Sequence, residues 1–380
     1  MGTDSKLASG AYVWLAFAAL TGALAMPACL NAAEERAERD REVGHARADG
    51  LSVDVNQGHA AVLALAAEQV SLWGSVPAFE LSIETGDGAA RSIELSVQNL
   101  MPGAELRQTS GPAVTLDPAE WLLPTHARWR IQLPPGQTLG FGVGPADRDQ
   151  PEAFEFALLS DVQEAIDGLP DMVDRVNQEP DVRFVLGAGD LTADGTRAEL
   201  ERFQRELARM NVPYYATLGN HELGEDPPPY QDLFGRGNYH FVFRGVHFTL
   251  LDSASALLDS LAYDWLDGWL GQGRGKTHVV AMHIPPFDPS GTRGGGFASR
   301  NEAAKLLNQL ALHDVDLTLY GHIHTYIRFE NAGIEAHIAG GGGAIPNRGD
   351  GIGRHYLVVR LGPSGVTSTR VVEVDSDWAF

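Results

Sequence analysis

Cysteine is almost missing from this chain: there is one, Cys29, in 380 residues. A disulfide framework and a four-thiolate zinc site are therefore both excluded. Basic residues are scarce as well. Lys and Arg total 28 against 50 Asp and Glu, a formal charge of −22. A duplex nucleic-acid binder needs a basic face to displace counterions, and a polybasic membrane hold needs clustered cations, so neither class fits. No internal repeat is evident. The 43 glycines follow no collagen-like period and gather at loop positions. What remains is ordinary globular composition, 44% apolar and 21% charged, in a length that holds more than one domain of about 150 residues.

The first feature actually present is a run without charge, Ala11 to Leu30. It is long enough to span a bilayer as a helix. Small residues in its second half, and Pro27-Ala28-Cys29 near its end, favour an export signal over residues 1–30. The segment resembles a bacterial lipoprotein signal, in which the cysteine becomes the lipid-bearing first residue; Met26 and Pro27 depart from the usual residues before it. Simple secretion and an uncleaved anchor are the alternatives. The expected location is the cell envelope, periplasmic or extracellular, with Cys29 a candidate lipid anchor. The myristoylation pattern is not met, because Lys6 stands where Ser or Thr is required. Residues 31–50 mix both charge signs with almost no large apolar residue; they could make a solvated helix but cannot build a core, and read best as a linker or tether.

Two rhythms follow. Over 51–150, Ala61–Leu65, Phe79–Ile83, Ser92–Val97 and Arg128–Leu133 alternate apolar and polar residues between Gly, Pro and Asp-Gly punctuation, which predicts a small all-β sandwich. From 151 to 380 strands and helices alternate. Phe154–Leu159, Arg183–Gly187, Val212–Leu218, His278–Met282 and Val315–Tyr320 read as strands, and Gly362–Val374 as a closing hairpin. Thr196–Met210 reads as an amphipathic helix with Leu200, Phe203, Leu207 and Met210 on one stripe and Asp194 or Thr196 as cap. The fold class expected there is α/β. Trp265 and Trp269, four apart, read as a helix packing face, and the histidines outside the motifs below as structural or exposed.

Polar ligand types recur where those strands end: Ser160-Asp161-Val162-Gln163, Gly189-Asp190, Gly219-Asn220-His221-Glu222, His283, and Gly321-His322-Ile323-His324. Carboxyl ends of strands are where α/β sheets assemble sites. Two carboxylates, amide oxygens and several imidazoles without thiolate suit Mn, Fe or Zn better than Ca or Cu(I). Each piece alone has a plain reading as a turn, a helix cap or a loop boundary. All five in order, each after a strand, point to one metal centre.

This order resembles the calcineurin-like metallophosphoesterases, the superfamily that includes purple acid phosphatases, over roughly Phe154 to Val359. Gly189-Asp190-Leu191-Thr192, Asn238-Tyr239-His240-Phe241 and Leu251-Asp252-Ser253 match as well. The resemblance implies a four-layer α/β/β/α sandwich behind the small β domain, and two metal ions. It implies Asp161 and His324 as ligands of the first metal, Asp190 as the bridge, and Asn220, His283 and His322 as ligands of the second. His221 would contact the phosphoryl or leaving oxygen, and Glu222 would help to orient or charge it. The family usually has His where this chain has Gln163. An amide oxygen is a weaker, harder donor, which favours Mn or Mg at the first position. A branch similar to the manganese-dependent ADP-ribose/CDP-alcohol diphosphatases also carries Gln there. The implied activity is hydrolysis of a phosphate ester or pyrophosphate in a phosphorylated small molecule, by hydroxide that two metals activate. Gln163 leaves a second reading open: a degenerate phosphoesterase fold that binds or scaffolds at the envelope. The loops Arg293–Phe297 and Ala339–Ala344 are read equally as cleft walls or as flexible surface.

Overall fold

Apolar alternation between Leu51 and Arg148 becomes strands at the expected places. Leu51–Val55, Phe79–Thr85 and His126–Leu133 each bury alternate side chains. The structure, a computed structural model, describes residues 32–291, 295–347, 351–362 and 364–374. The signal read over 1–30, Cys29 with it, and Arg293 and Gly294 of the first glycine-rich loop lie outside the described residues. No helix among the described residues is long and apolar enough to cross a membrane.

The first domain is a sandwich of two five-stranded sheets. One runs His45–Ala48, Leu51–Val55, Phe79–Thr85, Thr138–Gly144, Glu105–Ser110; the other runs Ala60–Ala66, Gln69–Gly74, Arg91–Gln98, His126–Leu133, Glu120–Leu123. Val53, Leu81, Ile83, Leu95, Trp129 and Phe141 fill the space between them.

The second domain has the expected four layers. One sheet runs Tyr214–Thr217, Val182–Ala188, Phe154–Leu158, His355–Gly362, Gly365–Glu373; the other runs Tyr239–Phe243, Val246–Leu251, His278–Met282, Leu317–Tyr320, Ile334–Ala339, Tyr326–Asn331. Their inner faces meet through aromatic rings. Phe248 stacks on Phe241 at 4.9 Å and meets Phe156 and Phe184 edge-on at 5.4 Å. Each such ring buried contributes roughly 1.5–3 kcal/mol. Helices Leu169–Val176 and Arg197–Leu207 cover the outer face of the first sheet, and Ser260–Gln272 and Arg300–Leu312 that of the second. Thr196, not Asp194, caps the Arg197–Leu207 helix, in a capping box with Glu199, and Leu200, Phe203, Leu207 and Met210 are buried as the stripe predicts. The closing hairpin is displaced: its strands are His355–Gly362 and Gly365–Glu373, so Gly362 ends the first strand and does not open the hairpin.

The linker expected over 31–50 is corrected. Residues 32–42 form a helix whose Ala33, Ala37, Arg36 and Asp40 are buried, and His45–Ala48 pairs with Leu51–Val55 in the sandwich. The expectation failed because it counted charges as solvated. Arg36 and Asp40, four apart on one face, are instead satisfied by partners more than 190 residues away. Elsewhere the two domains share packing. Trp73 meets Phe234 edge-on at 5.5 Å, and the Asn99 amide donates to Tyr214 O and accepts from Tyr214 N, each at 2.8 Å.

Candidate metal centre

Parallel pairing aligns the carboxyl ends of Phe154–Leu158, Val182–Ala188 and Tyr214–Thr217 in one sheet, and of Val246–Leu251, His278–Met282 and Leu317–Tyr320 in the other. Every ligand type singled out above stands within a few residues of one of these ends. The turns there are tight and strained. Asp161, Gln163, Asp190 and His322 all have positive φ, at 63°, 47°, 54° and 70°. Non-glycine residues hold such angles at a cost on the order of 1 kcal/mol or more, and they concentrate at functional sites. Gly219 is required by approach: a Cβ there would strike Asp190 Oδ1.

The turns bring together two groups of ligand atoms, each within 4.8 Å: Asp161, Asp190 and His324 in one, Asp190, His283 and His322 in the other. Asp190 belongs to both. His283 Nε2 lies 3.2 Å from Asp190 Oδ1 and 3.1 Å from Asn220 Oδ1; His324 Nε2 lies 3.4 Å from Asp161 Oδ1. Backbone carbonyls set the rings. Ala188 O accepts from His283 Nδ1 at 2.7 Å and Ile345 O from His324 Nδ1 at 2.6 Å, which leaves Nε2 facing the carboxylates. Ser160 Oγ and His322 N hold Asp161 in turn. Two buried carboxylates facing unprotonated imidazole edges are a donor set that a divalent cation satisfies. Without that cation, protons take its place. Burial alone would lower His283, but the Asp190 carboxylate lifts it to about 9. Burial would raise Asp190, but His283 and the amide of His221 hold it well below the usual carboxylate range.

Gln163 is buried inside the centre. Its amide donates to Asp190 Oδ2 at 2.6 Å and lies 3.3 Å from His324 Nε2. A half-turn of the amide would present its oxygen instead. His221 is partly exposed at the mouth, with Nδ1 on Ala193 O at 2.5 Å and Nε2 3.9 Å from Asp190 Oδ2.

Glu222 departs from its expected role. Its bonds go to four backbone amides and one hydroxyl: Oε2 accepts from Asp190 N and Gly219 N, and Oε1 from Leu191 N, Thr192 N and Thr192 Oγ1, at 2.8–3.2 Å. It therefore ties the Asp190 turn to the Asn220 turn, while Ala193 O orients His221. Burial, and then the Asp190 charge, push it up to about 7 against those donors. The Ala339–Ala344 loop is not flexible surface. It is buried, its Gly342 N and Ala344 N donate to Ser160 O and Asp161 O, and Asn347 just beyond accepts from His324 N. Sequence reading missed this support. The four-glycine run was the available signal, since glycine is needed where backbone meets backbone.

Residues 154–326 match the family model described as calcineurin-like phosphoesterase. This part of the chain is a calcineurin-like phosphoesterase domain. A 3',5'-cyclic-nucleotide phosphodiesterase of Nostoc sp. is 26% identical over 157 residues, 39% of this chain and 58% of that protein. Purple acid phosphatase 22 of Arabidopsis thaliana is 28% identical over 217 residues, 50% of this chain and 49% of that protein. The chain thus spans about half the length of the curated relatives it matches. A dimetal phosphatase structure from Danio rerio superposes with a TM-score of 0.45 at 17% identity, over 59% of this chain and all of that one.

Proposed function

We propose that this phosphoesterase domain is a metal-dependent hydrolase of phosphate esters, acting on a phosphorylated small molecule outside the cytoplasm. The observation that carries the reading is the sharing of Asp190 between two groups of ligand atoms, with His221 beside them at the mouth. Asp161, Asp190 and His324, with Gln163 through its amide oxygen, would hold one divalent ion; Asp190, Asn220, His283 and His322 would hold the second. Such ions supply an activated water near neutral pH and neutralise phosphoryl charge. The chain's own residues do the rest. The carbonyls of Ala188 and Ile345 keep the imidazoles aimed. His221, fixed through Nδ1 on Ala193 O, presents Nε2 where a departing oxygen would sit, and as imidazolium it donates a proton there. Relatives named as phosphodiesterase and as phosphatase support a phosphate ester as substrate. Export rests on the run Ala11–Leu30, and anchoring on Cys29.

Titration of the purified protein with Mn, Fe, Zn and Mg, followed by a panel of monoesters, diesters and pyrophosphates, tests the proposal. Two ions bound and a metal-dependent turnover are expected. The Gln163 bond to Asp190 favours one rival, a scaffold that has lost the first ion. At most one bound ion in a folded protein without turnover would establish that rival.

A further inference from the structure

The helix over residues 32–42 is joined to the second domain by buried charges. The Arg36 guanidinium grips Asp252 with both arms, Nε to Oδ2 at 2.7 Å and Nη2 to Oδ1 at 3.1 Å, and Nη2 reaches Ser255 Oγ at 3.0 Å. Both side chains are under 5% exposed. One turn on, Asp40 accepts from Gly237 N and Asn238 N at 2.9 Å and from Asn238 Nδ2 at 3.0 Å. Asn238 Oδ1 closes the circuit by accepting from Asp252 N at 2.9 Å.

Each grip is one link from a ligand turn. The residue after Asp252 is Ser253, whose hydroxyl donates to Ile284 O at 3.1 Å and accepts from Ile284 N at 2.8 Å, next to His283. Gly237 O accepts from Thr217 Oγ1 at 2.8 Å, at the strand end that leads to Asn220. His283 Nε2 and Asn220 Oδ1 are 3.1 Å apart. No comparable link runs, among the described residues, from this helix to Asp161 or His324; those rest on Ser160, Ile345 and Asn347.

From these links we infer that Arg36 and Asp40 are positioning residues of the metal centre: they hold the turns that carry Asn220 and His283, and so set the affinity of one ion position and not the other. The inference rests on the metallophosphoesterase reading above. The segment that leads out of the apolar run is then a working part of the site. A bidentate buried pair suits such a task, because it fixes direction as well as distance.

The test is Mn(II) calorimetry on the full chain, together with kcat and KM for a phosphoester the wild type turns over. Removing Arg36 alone would strand a buried carboxylate, so the informative variant is R36M/D252N, in which the amide oxygen introduced at position 252 keeps the bond from Ala254 N. The binding step that His283→Ala abolishes is expected to weaken about tenfold in this variant, as loss of a partner behind a ligand does. The step that His324→Ala abolishes should stay at its wild-type value, and kcat should fall with KM little changed. R36K keeps the charge and loses the second arm; about a threefold loss at the same step is expected in the folded variant. Equal weakening of both steps, or wild-type affinity at both in R36K and in a folded R36M/D252N, overturns the inference. A wild-type protein that binds no Mn fails the proposed function itself, a separate outcome.

Discussion

Asp190 and Glu222 sit side by side in the centre and do different work. Asp190 offers an oxygen to each ligand group, so Asp190→Ala is expected to abolish binding at both positions together with activity; metal content by plasma emission and a rate assay read this directly. His221 touches neither group as a required ligand. His221→Ala should keep both ions while turnover falls about a hundred- to ten-thousandfold. Glu222 accepts five bonds, at least two on each oxygen. Glu222→Gln keeps the shape but points an NH2 at N–H donors whichever way it turns. We expect it to lose about 1–3 kcal/mol of stability in urea and to weaken metal binding by loosening the Asp190 turn. These roles could be sorted only in part from the motif. Gly219-Asn220-His221-Glu222 marks four adjacent residues, but whether the glutamate faces the imidazole or the backbone depends on the Asp190 turn, on a different strand.

At the scale of elements, the edge of the second sheet carries a cluster that the motif reading passed over. His240, His247 and His278 lie on three neighbouring strands with ring centroids 5.1–5.9 Å apart, and His240 stacks on Trp269 of the Ser260–Gln272 helix at 6.1 Å. Trp265, one turn earlier, lies under the Arg236 guanidinium at 4.3 Å, so both tryptophans pack as expected. Burial, then mutual repulsion, lowers His240 and His278 from 6.5 to about 3 each. The sign follows from linkage: a base whose folded pKa is depressed contributes stability that is present above about pH 6.5 and lost as pH falls towards 3. Asp40 opposes this. Burial raises it to about 6, so its contribution is lost as pH rises through that value, and Glu222, pushed up to about 7, acts in the same direction. His240→Gln is therefore expected to flatten the dependence of the melting temperature on pH below 6.5 relative to the wild type; the same pH dependence in both proteins between 4 and 7 would contradict the assignment.

On the scale of the molecule, the two domains share buried contacts and are expected to unfold together. Asn99 replaces the missing strand neighbour at Tyr214, satisfying its N–H and C=O together, and Trp73 lies against Phe234. Asn99→Ala leaves both backbone groups buried and unpaired. It should cost roughly 2 kcal/mol or more and shift one cooperative transition, not split it. Scanning calorimetry checks this, and two separate transitions in the wild type would refute it. The charge of −22 takes its meaning at this scale too. It keeps polyanions away at long range, while the proposed ions would reverse the sign within the centre, so a small phosphoester is not excluded.

The sequence by itself determined many of the strands, the helix that Thr196 caps, and the polar residues that stand where those strands end. Periodicity, turn residues and polar types placed after apolar runs are local properties, and they survive without knowledge of partners. Tertiary structure alone decided what the charges do. Arg36 and Asp40 look solvated in a segment rich in both signs, and become buried only because Asp252, Gly237 and Asn238 come to them from the second domain. Glu222 became a backbone strut, and the glycine run a packed support, for the same reason. A polar group's role is set by what satisfies it, and in this protein those partners are brought together by the fold.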